Sequence, residues 1–280
     1  MSSPRKSVRR RARRSARGTG ARALPSLTVH SAVHSAAHPA VHPAVDSTVR
    51  DPSAVVLVLH GGRSEGLAAP PSWNLPDLRM RPFLRSLVRA TADGRVLVCR
   101  LGYRCRGWNG VRADAARDAE WALGELRRTV GELPMVLVGH SMGGRAALRV
   151  GGDRCVRGVV ALAPWCPPGE ETAQLSGRRV VILHGDRDRV TDPAASREFA
   201  FRARRDGADA RFVTVPGGDH AMLRRAAEWQ RAVDREVAAM LTAASAHTPG
   251  GRPAPDPPSG SATRPPSPSS PPNEPFPPGD

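Results

Sequence analysis

Gly139-His140-Ser141-Met142-Gly143 decides how this chain is read. On its N-terminal side, Pro134-Met135-Val136-Leu137-Val138 is short, apolar and β-branched, the composition of a buried strand. On its C-terminal side, Gly144-Arg145-Ala146-Ala147-Leu148-Arg149-Val150 reads as a helix whose first turn holds small residues. A serine therefore stands where a buried strand turns sharply into a helix. Glycines at 139 and 143 remove the Cβ atoms that would clash in so tight a turn, which lifts the serine hydroxyl out at the C-terminal edge of a sheet. The free N–H groups of the helix start point at the same spot and favour negative charge there. A G-x-S-x-G spacing is weak by itself, and the strand–turn–helix context gives it meaning.

Two further motifs follow downstream. The apolar run Arg179-Val180-Val181-Ile182 leads into Leu183-His184-Gly185-Asp186-Arg187-Asp188, and Ala210-Arg211-Phe212-Val213-Thr214-Val215 leads into Pro216-Gly217-Gly218-Asp219-His220. Upstream, Ala54-Val55-Val56-Leu57-Val58-Leu59 runs into His60-Gly61-Gly62-Arg63, a strand followed by a loop able to offer a backbone N–H. Serine, acid and histidine thus come in that chain order, each just past a strand end. In this order the four motifs resemble the α/β-hydrolase superfamily, and look most like its small serine esterases and dienelactone-hydrolase-like members, over roughly residues 52–243.

The resemblance implies a catalytic Ser141, Asp188 and His220. Asp186 is the alternative acid and Asp192 a third; the family's His-Gly-x-x-Asp pattern falls on Asp188. It also implies an oxyanion site formed by the backbone N–H of Met142 and one from the 60–63 loop, assigned to Gly62. No cofactor and no metal are expected. His60 and His184, each before a glycine at a strand end, read as residues that fix their loops, and His140 as one that packs beside the serine.

Length and composition agree with one domain and two tails. Residues 1–22 carry eight arginines and one lysine with no acid, a large share of the net charge of +16. Residues 30–45 repeat a motif with histidines at 30, 34, 38 and 42, read as a repeat and not as a ligand set. Residues 249–280 hold 13 of the 28 prolines. Neither end has the apolar periodicity that offsets chain entropy, so 1–50 and 245–280 are expected to be disordered tails around a domain at 51–244. The chain has 41 arginines and a single lysine, and Ile182 is its one isoleucine. That bias fits a GC-rich genome, so the basic N-terminal tail is read as solvated, with nucleic-acid contact as the functional alternative.

Within the domain, strands are expected at 54–59, 95–100, 135–139, 156–161, 179–184 and 210–215, and helices at 78–92, 112–129, 142–150, 193–206 and 220–243. Strands apolar on nearly every residue, separated by helices, predict an α/β fold with a mostly parallel twisted sheet covered on both faces. In the family's usual layout an antiparallel pair precedes the first of these strands. Residues 26–50 would have to supply it, and only Ser26-Leu27-Thr28-Val29 has strand character, so a reduced N-terminal sheet is expected.

Serine is a poor nucleophile at neutral pH and needs a base within hydrogen-bond reach, a role that fits His220. The segment beginning Ala161-Leu162-Ala163-Pro164-Trp165-Cys166 is too short before the next strand to build a helical lid. An open site suits small or short-acyl esters, with Trp165 and Tyr103 as pocket candidates and Trp108 beside them. The expected function is hydrolysis of carboxylic esters through an acyl-enzyme. The alternatives are lactone, thioester or peptide hydrolysis on the same fold, or a non-catalytic binding protein with a nucleic-acid-binding tail. The dienelactone hydrolases usually carry cysteine as nucleophile, so the serine at 141 counts against that activity. The twin-arginine-like start has no apolar region after it, no segment is long and apolar enough to span a bilayer, and Cys99, Cys105, Cys155 and Cys166 form no metal pattern. A cytoplasmic protein acting on a small-molecule ester, without a membrane partner, is the expectation.

Overall fold

A computed structural model describes residues 24–30, 51–92 and 95–246, and the side chains of that range except 245 and 246. The Arg-rich run at 1–22, His34, His38 and His42, and the proline-rich segment at 249–280 lie outside the described residues.

Seven strands form one sheet: β1 (Ser26–Val29), β2 (Ala54–Leu59), β3 (Val96–Gly102), β4 (Met135–His140), β5 (Val156–Leu162), β6 (Arg179–Gly185) and β7 (Asp209–Val215). Their spatial order is β1-β3-β2-β4-β5-β6-β7, with β1 antiparallel to β3 and every other pair parallel. Four helices lie between strands, α1 (Leu75–Ala90), α2 (Asp114–Val130), α3 (Met142–Val150) and α4 (Pro193–Arg205), and a fifth, α5 (Ala226–Ala246), follows β7.

The two-residue period of a strand explains why the central strands are apolar throughout. Val55, Leu57 and Leu59 of β2 face one layer, a core that α2, α3 and α4 complete with residues such as Leu123, Ala147 and Phe199. Val56 and Val58 face the other layer, where Phe83 and Leu87 of α1 and Trp229 and Val233 of α5 cover them. All six β2 side chains are buried, and each of the five valine and leucine burials contributes about 1.5–3 kcal/mol. A strand polar on alternate residues would leave one layer of helices without a partner.

The chain leaves β2 into α1 on one face and leaves β4 into α3 on the other. Because β2 and β4 are neighbours, their exit loops part in opposite directions and open a crevice at the C-terminal edge of the sheet. Ser141 and the 60–63 loop both lie there.

The expected tail at 1–50 is corrected at Ser26–Val29, which pairs with Cys99–Gly102 as the edge strand. His30 N–H extends the pairing to the Val98 carbonyl at 2.8 Å. The physical reason is that Leu27 and Val29 pack on the core beside β3. A single antiparallel strand stands there among the described residues, so the sheet is a reduced one. The last helix is also corrected: α5 begins at Ala226 and not at 220. Asp219 folds back to accept from the N–H groups of Leu223 and Arg224, and Met222 and Arg225 adopt positive φ, which breaks helical continuation.

Edge pairing by β1 has a measurable consequence. Deleting residues 1–22 should leave the melting temperature unchanged, because that run offers no apolar surface. Deleting residues 1–47 removes the burial of Leu27 and Val29, worth about 2 kcal/mol. For a domain of this size that is roughly 4–8 °C, to be read by calorimetry on the two truncations side by side.

Candidate active site

Three strand-end loops meet at the crevice. Ser141, directly after β4, has φ 53° and ψ −117°, a backbone held outside the usual L-residue regions. Such a conformation costs on the order of 1–3 kcal/mol, and the surrounding bonds hold it in place. Ser141 N–H donates to the Leu162 carbonyl at 2.9 Å, while the Ser141 carbonyl accepts from Arg145 N–H at 3.1 Å and Trp165 N–H at 3.2 Å. The two flanking glycines are required by close approach. A Cβ on Gly139 would overlap the Gly143 carbonyl, and one on Gly143 would overlap the Leu59 and His60 carbonyls.

The structure brings Ser141, His220 and Asp188 together. Nε2 of His220 lies 3.1 Å from Ser141 Oγ, and its Nδ1 lies 2.8 Å from Asp188 Oδ2. The His220 side chain keeps 12% exposure, enough for access from the crevice, whereas that of Asp188 keeps none. Asp188 Oδ1 accepts from the N–H groups of Val190 at 2.7 Å and Thr191 at 3.0 Å. Its Oδ2 lies 2.9 Å from the Thr191 hydroxyl and 3.1 Å from His184 Nε2. Burial alone would raise the Asp188 carboxyl, but the bonds from His184, His220, Thr191 and Val190 outweigh it and hold the group well below the usual carboxylate range. Asp186 lies apart from His220 and accepts from Gly217 N–H at 2.7 Å on an exposed surface. Asp192 caps α4 through Ala194 N–H at 2.8 Å.

His140 holds the histidine loop from below. Burial, and then the neighbouring His220, push its pKa down to about 3, so the ring is neutral. Its contact with the His220 carbonyl at 2.9 Å therefore carries the proton on Nε2. His60 is likewise kept neutral by burial and donates from Nδ1 to the Gly61 carbonyl at 2.6 Å. In a trans peptide the next N–H points opposite to that carbonyl, so the bond from His60 turns Gly62 N–H away from the ring. Gly62 also abuts the side chain of Met142, the first residue of α3.

The pocket candidates separate. Trp165 is half-buried beside the Ser141 turn, with the Arg145 guanidinium over its ring at 4.5 Å and over that of Trp108 at 3.9 Å. Glu170 holds Arg145 from the other side at 2.6 Å and also pairs with Arg149. Tyr103 is buried against His60, ring centroids 4.6 Å apart, so the structure places it in the core and not on an open wall. Burial pushes its hydroxyl pKa up, and the group stays neutral.

Thr191 and the contacts of His184 are what the sequence reading missed. Thr191 lies three residues after Asp188 and offers it both N–H and hydroxyl, a local Asp-to-Thr turn that the D-x-x-T spacing could have suggested. His184 was visible only as a loop-fixing residue.

The buried neutral His140 predicts acid lability. Its pKa is lower in the folded than in the unfolded chain, so the unfolded chain takes up the proton first as pH falls below the ordinary value of 6.5. Stability from this group is complete above that pH and declines toward about pH 3, by up to about 1.4 kcal/mol per pH unit. His60 shifts in the same direction and adds to the slope. Urea unfolding between pH 7 and pH 4.5 should show the decline, and His140→Gln should flatten it while lowering stability at pH 7.

Among the described residues no helix is long and apolar enough to cross a membrane. Comparison with known proteins adds to this geometry. The model of the alpha/beta hydrolase family matches residues 55–268. No curated protein matches the chain. Among solved structures, a protein of unknown function from Agrobacterium tumefaciens is similar at TM-score 0.55 and 16% identity, over 70% of this chain and 90% of that one. Est1E of Butyrivibrio proteoclasticus, with ferulic acid bound, is similar at TM-score 0.52 and 13% identity, over 78% and 96%. An alpha-beta serine hydrolase homologue from Coxiella burnetii is similar at TM-score 0.50 and 17% identity, over 66% and 86%. At these identities the likeness is one of fold.

Proposed function

The chain belongs to the alpha/beta hydrolase family, and from that premise we propose that it is a serine hydrolase cleaving small or short-acyl carboxylic esters through an acyl-enzyme. The observation that carries the reading is the chain of contacts from Ser141 Oγ to His220 Nε2 at 3.1 Å and from His220 Nδ1 to Asp188 at 2.8 Å. In the proposed reaction His220 takes the hydroxyl proton as Ser141 Oγ attacks the ester carbonyl, and the imidazolium then returns that proton to the leaving alcohol. Ionised Asp188 fixes the proton on Nδ1, which leaves Nε2 free to accept, and stabilises the imidazolium. Water, activated by the same histidine, releases the acid and restores the serine.

The developing oxyanion is assigned to Met142 N–H, at the start of α3, and to Gly62 N–H. The His60 bond to Gly61 supports the second assignment, since it fixes the direction of that peptide. Small or short-acyl substrates are favoured by the connection between β5 and β6. Residues 163–178 carry only a three-residue 3-10 turn at Ala173–Leu175 and no cap helix. Trp165, braced by Arg145, is the side chain best placed to limit the acyl group.

Two measurements on the full chain test this. A fluorophosphonate probe should label Ser141, and p-nitrophenyl esters from acetate to palmitate should show turnover highest at the short end. Labelling without ester turnover would favour another acyl substrate. Absence of labelling would remove the serine-hydrolase reading altogether.

A further inference from the structure

Asp188 serves two imidazoles. His184 lies wholly buried at the end of β6, with Nε2 3.1 Å from the same Asp188 Oδ2 that faces His220. Its other nitrogen, Nδ1, lies 3.0 Å from the Ser196 hydroxyl of α4. The protonation pattern follows from the partners. An ionised carboxylate only accepts, so His184 Nε2 carries a proton toward it. In the tautomer whose single proton is on Nε2, Nδ1 is an acceptor and Ser196 donates to it. The alternative partners of that hydroxyl, the Pro164 carbonyl at 3.4 Å and Cys166 Sγ at 3.9 Å, are longer.

Resting on the triad reading above, we propose that His184, oriented by Ser196, is a positioning residue for the reaction: it holds the Asp188 carboxylate in place and draws its charge away from His220. The two imidazoles and the Thr191 hydroxyl share one carboxylate oxygen, and donors on one oxygen compete, so each weakens the acceptor for the others. His184 thereby limits how strongly Asp188 stabilises the His220 imidazolium, and the imidazolium can pass its proton on. Without His184 the carboxylate would turn its full basicity, and some freedom to rotate, toward His220. The other titratable groups bordering this cluster are His140 at the end of β4 and Cys166 after β5; Asp186 and Arg187 of the β6–α4 loop are exposed. Burial pushes the Cys166 thiol up to about 12, and it stays neutral across the working range.

The test uses the full chain with His184→Leu and His184→Gln. Leucine removes the donor. Glutamine can still donate an N–H to Asp188 and accept from Ser196. The leucine variant should lower kcat about ten- to a hundredfold with KM nearly unchanged, as expected for loss of a bond to a charged group. It should also move the acid limb of the kcat/KM profile to higher pH by about half a unit or more, since the imidazolium becomes better stabilised. The glutamine variant should recover most of the rate and return the acid limb toward the wild-type position. A readout independent of turnover is the downfield proton resonance of the His220–Asp188 bond, which should move further downfield in the leucine variant. If the leucine variant lowers only the melting temperature, with acid limb and resonance unmoved, His184 is a packing residue and the proposal fails. If wild type cleaves no ester and binds no fluorophosphonate, the hydrolase reading fails instead, and the resonance still decides whether His184 competes for Asp188.

Discussion

Replacing Ser141 by alanine should lower ester turnover about a million-fold while the domain stays folded, the loss expected when the nucleophile of a triad is removed. The hydroxyl makes one side-chain contact, with His220 Nε2, and that nitrogen faces the crevice. Its removal therefore strands no buried donor or acceptor, and the cost in stability should be small. The turn itself is held by main-chain bonds to Leu162, Arg145 and Trp165, which alanine keeps. Alanine tolerates φ 53° about as poorly as serine does, so the strain at the position is nearly the same in both. Turnover on a p-nitrophenyl ester and thermal unfolding, measured on one preparation, separate loss of chemistry from loss of fold. More than a tenth of the wild-type rate in the variant would remove Ser141 from the nucleophile's role.

Most of the architecture was legible because it is written in local signals. The strands of the parallel sheet are apolar on both faces, and the expected ranges agree with β2 to β7 to within two residues at either end. The serine turn was legible from Gly139 and Gly143, whose Cβ-free approach to neighbouring carbonyls the structure shows. What was not legible is tertiary. Nothing local in Ser26–Val29 says that four residues will find the edge of β3, since a strand that short depends on its partner for stability. The start of α5 was misread because its helical composition continues upstream, and the side chain of Asp219 diverts the chain there. Tyr103 could be placed in a loop but not inside the core beneath it, because burial of a loop aromatic depends on His60, just past the end of β2. The contact of His184 with Asp188 spans four residues but depends on how the loop after β6 folds back, which the spacing does not fix.

Asp188→Asn should lower turnover by roughly ten-thousand-fold, and Asp186→Asn by far less. The two carboxylates stand two residues apart, yet their surroundings differ in kind. Asp186 is exposed and accepts one N–H, from Gly217 at 2.7 Å; the carbonyl oxygen of asparagine can accept that bond equally well. Both oxygens of Asp188 accept: one from the N–H groups of Val190 and Thr191, the other from His184, His220 and the Thr191 hydroxyl. An asparagine there must turn its NH2 toward one of these sets, placing donor against donor. If the NH2 faces the main-chain pair, the turn that orients residues 188–191 is lost. If it faces the histidines, the amide donates to His220 Nδ1 and drives the ring's proton to Nε2, where it confronts Ser141 Oγ and can no longer accept. Either way the base is disabled, and a buried mismatch of this kind also costs about 1–3 kcal/mol of stability. Asp188→Asn should therefore melt lower as well as turn over slowly, whereas Asp186→Asn should do neither to a comparable degree. A reversed result, with Asp186→Asn the slower enzyme, would mean that His220 takes its orientation from the other carboxylate and that the acid is misassigned.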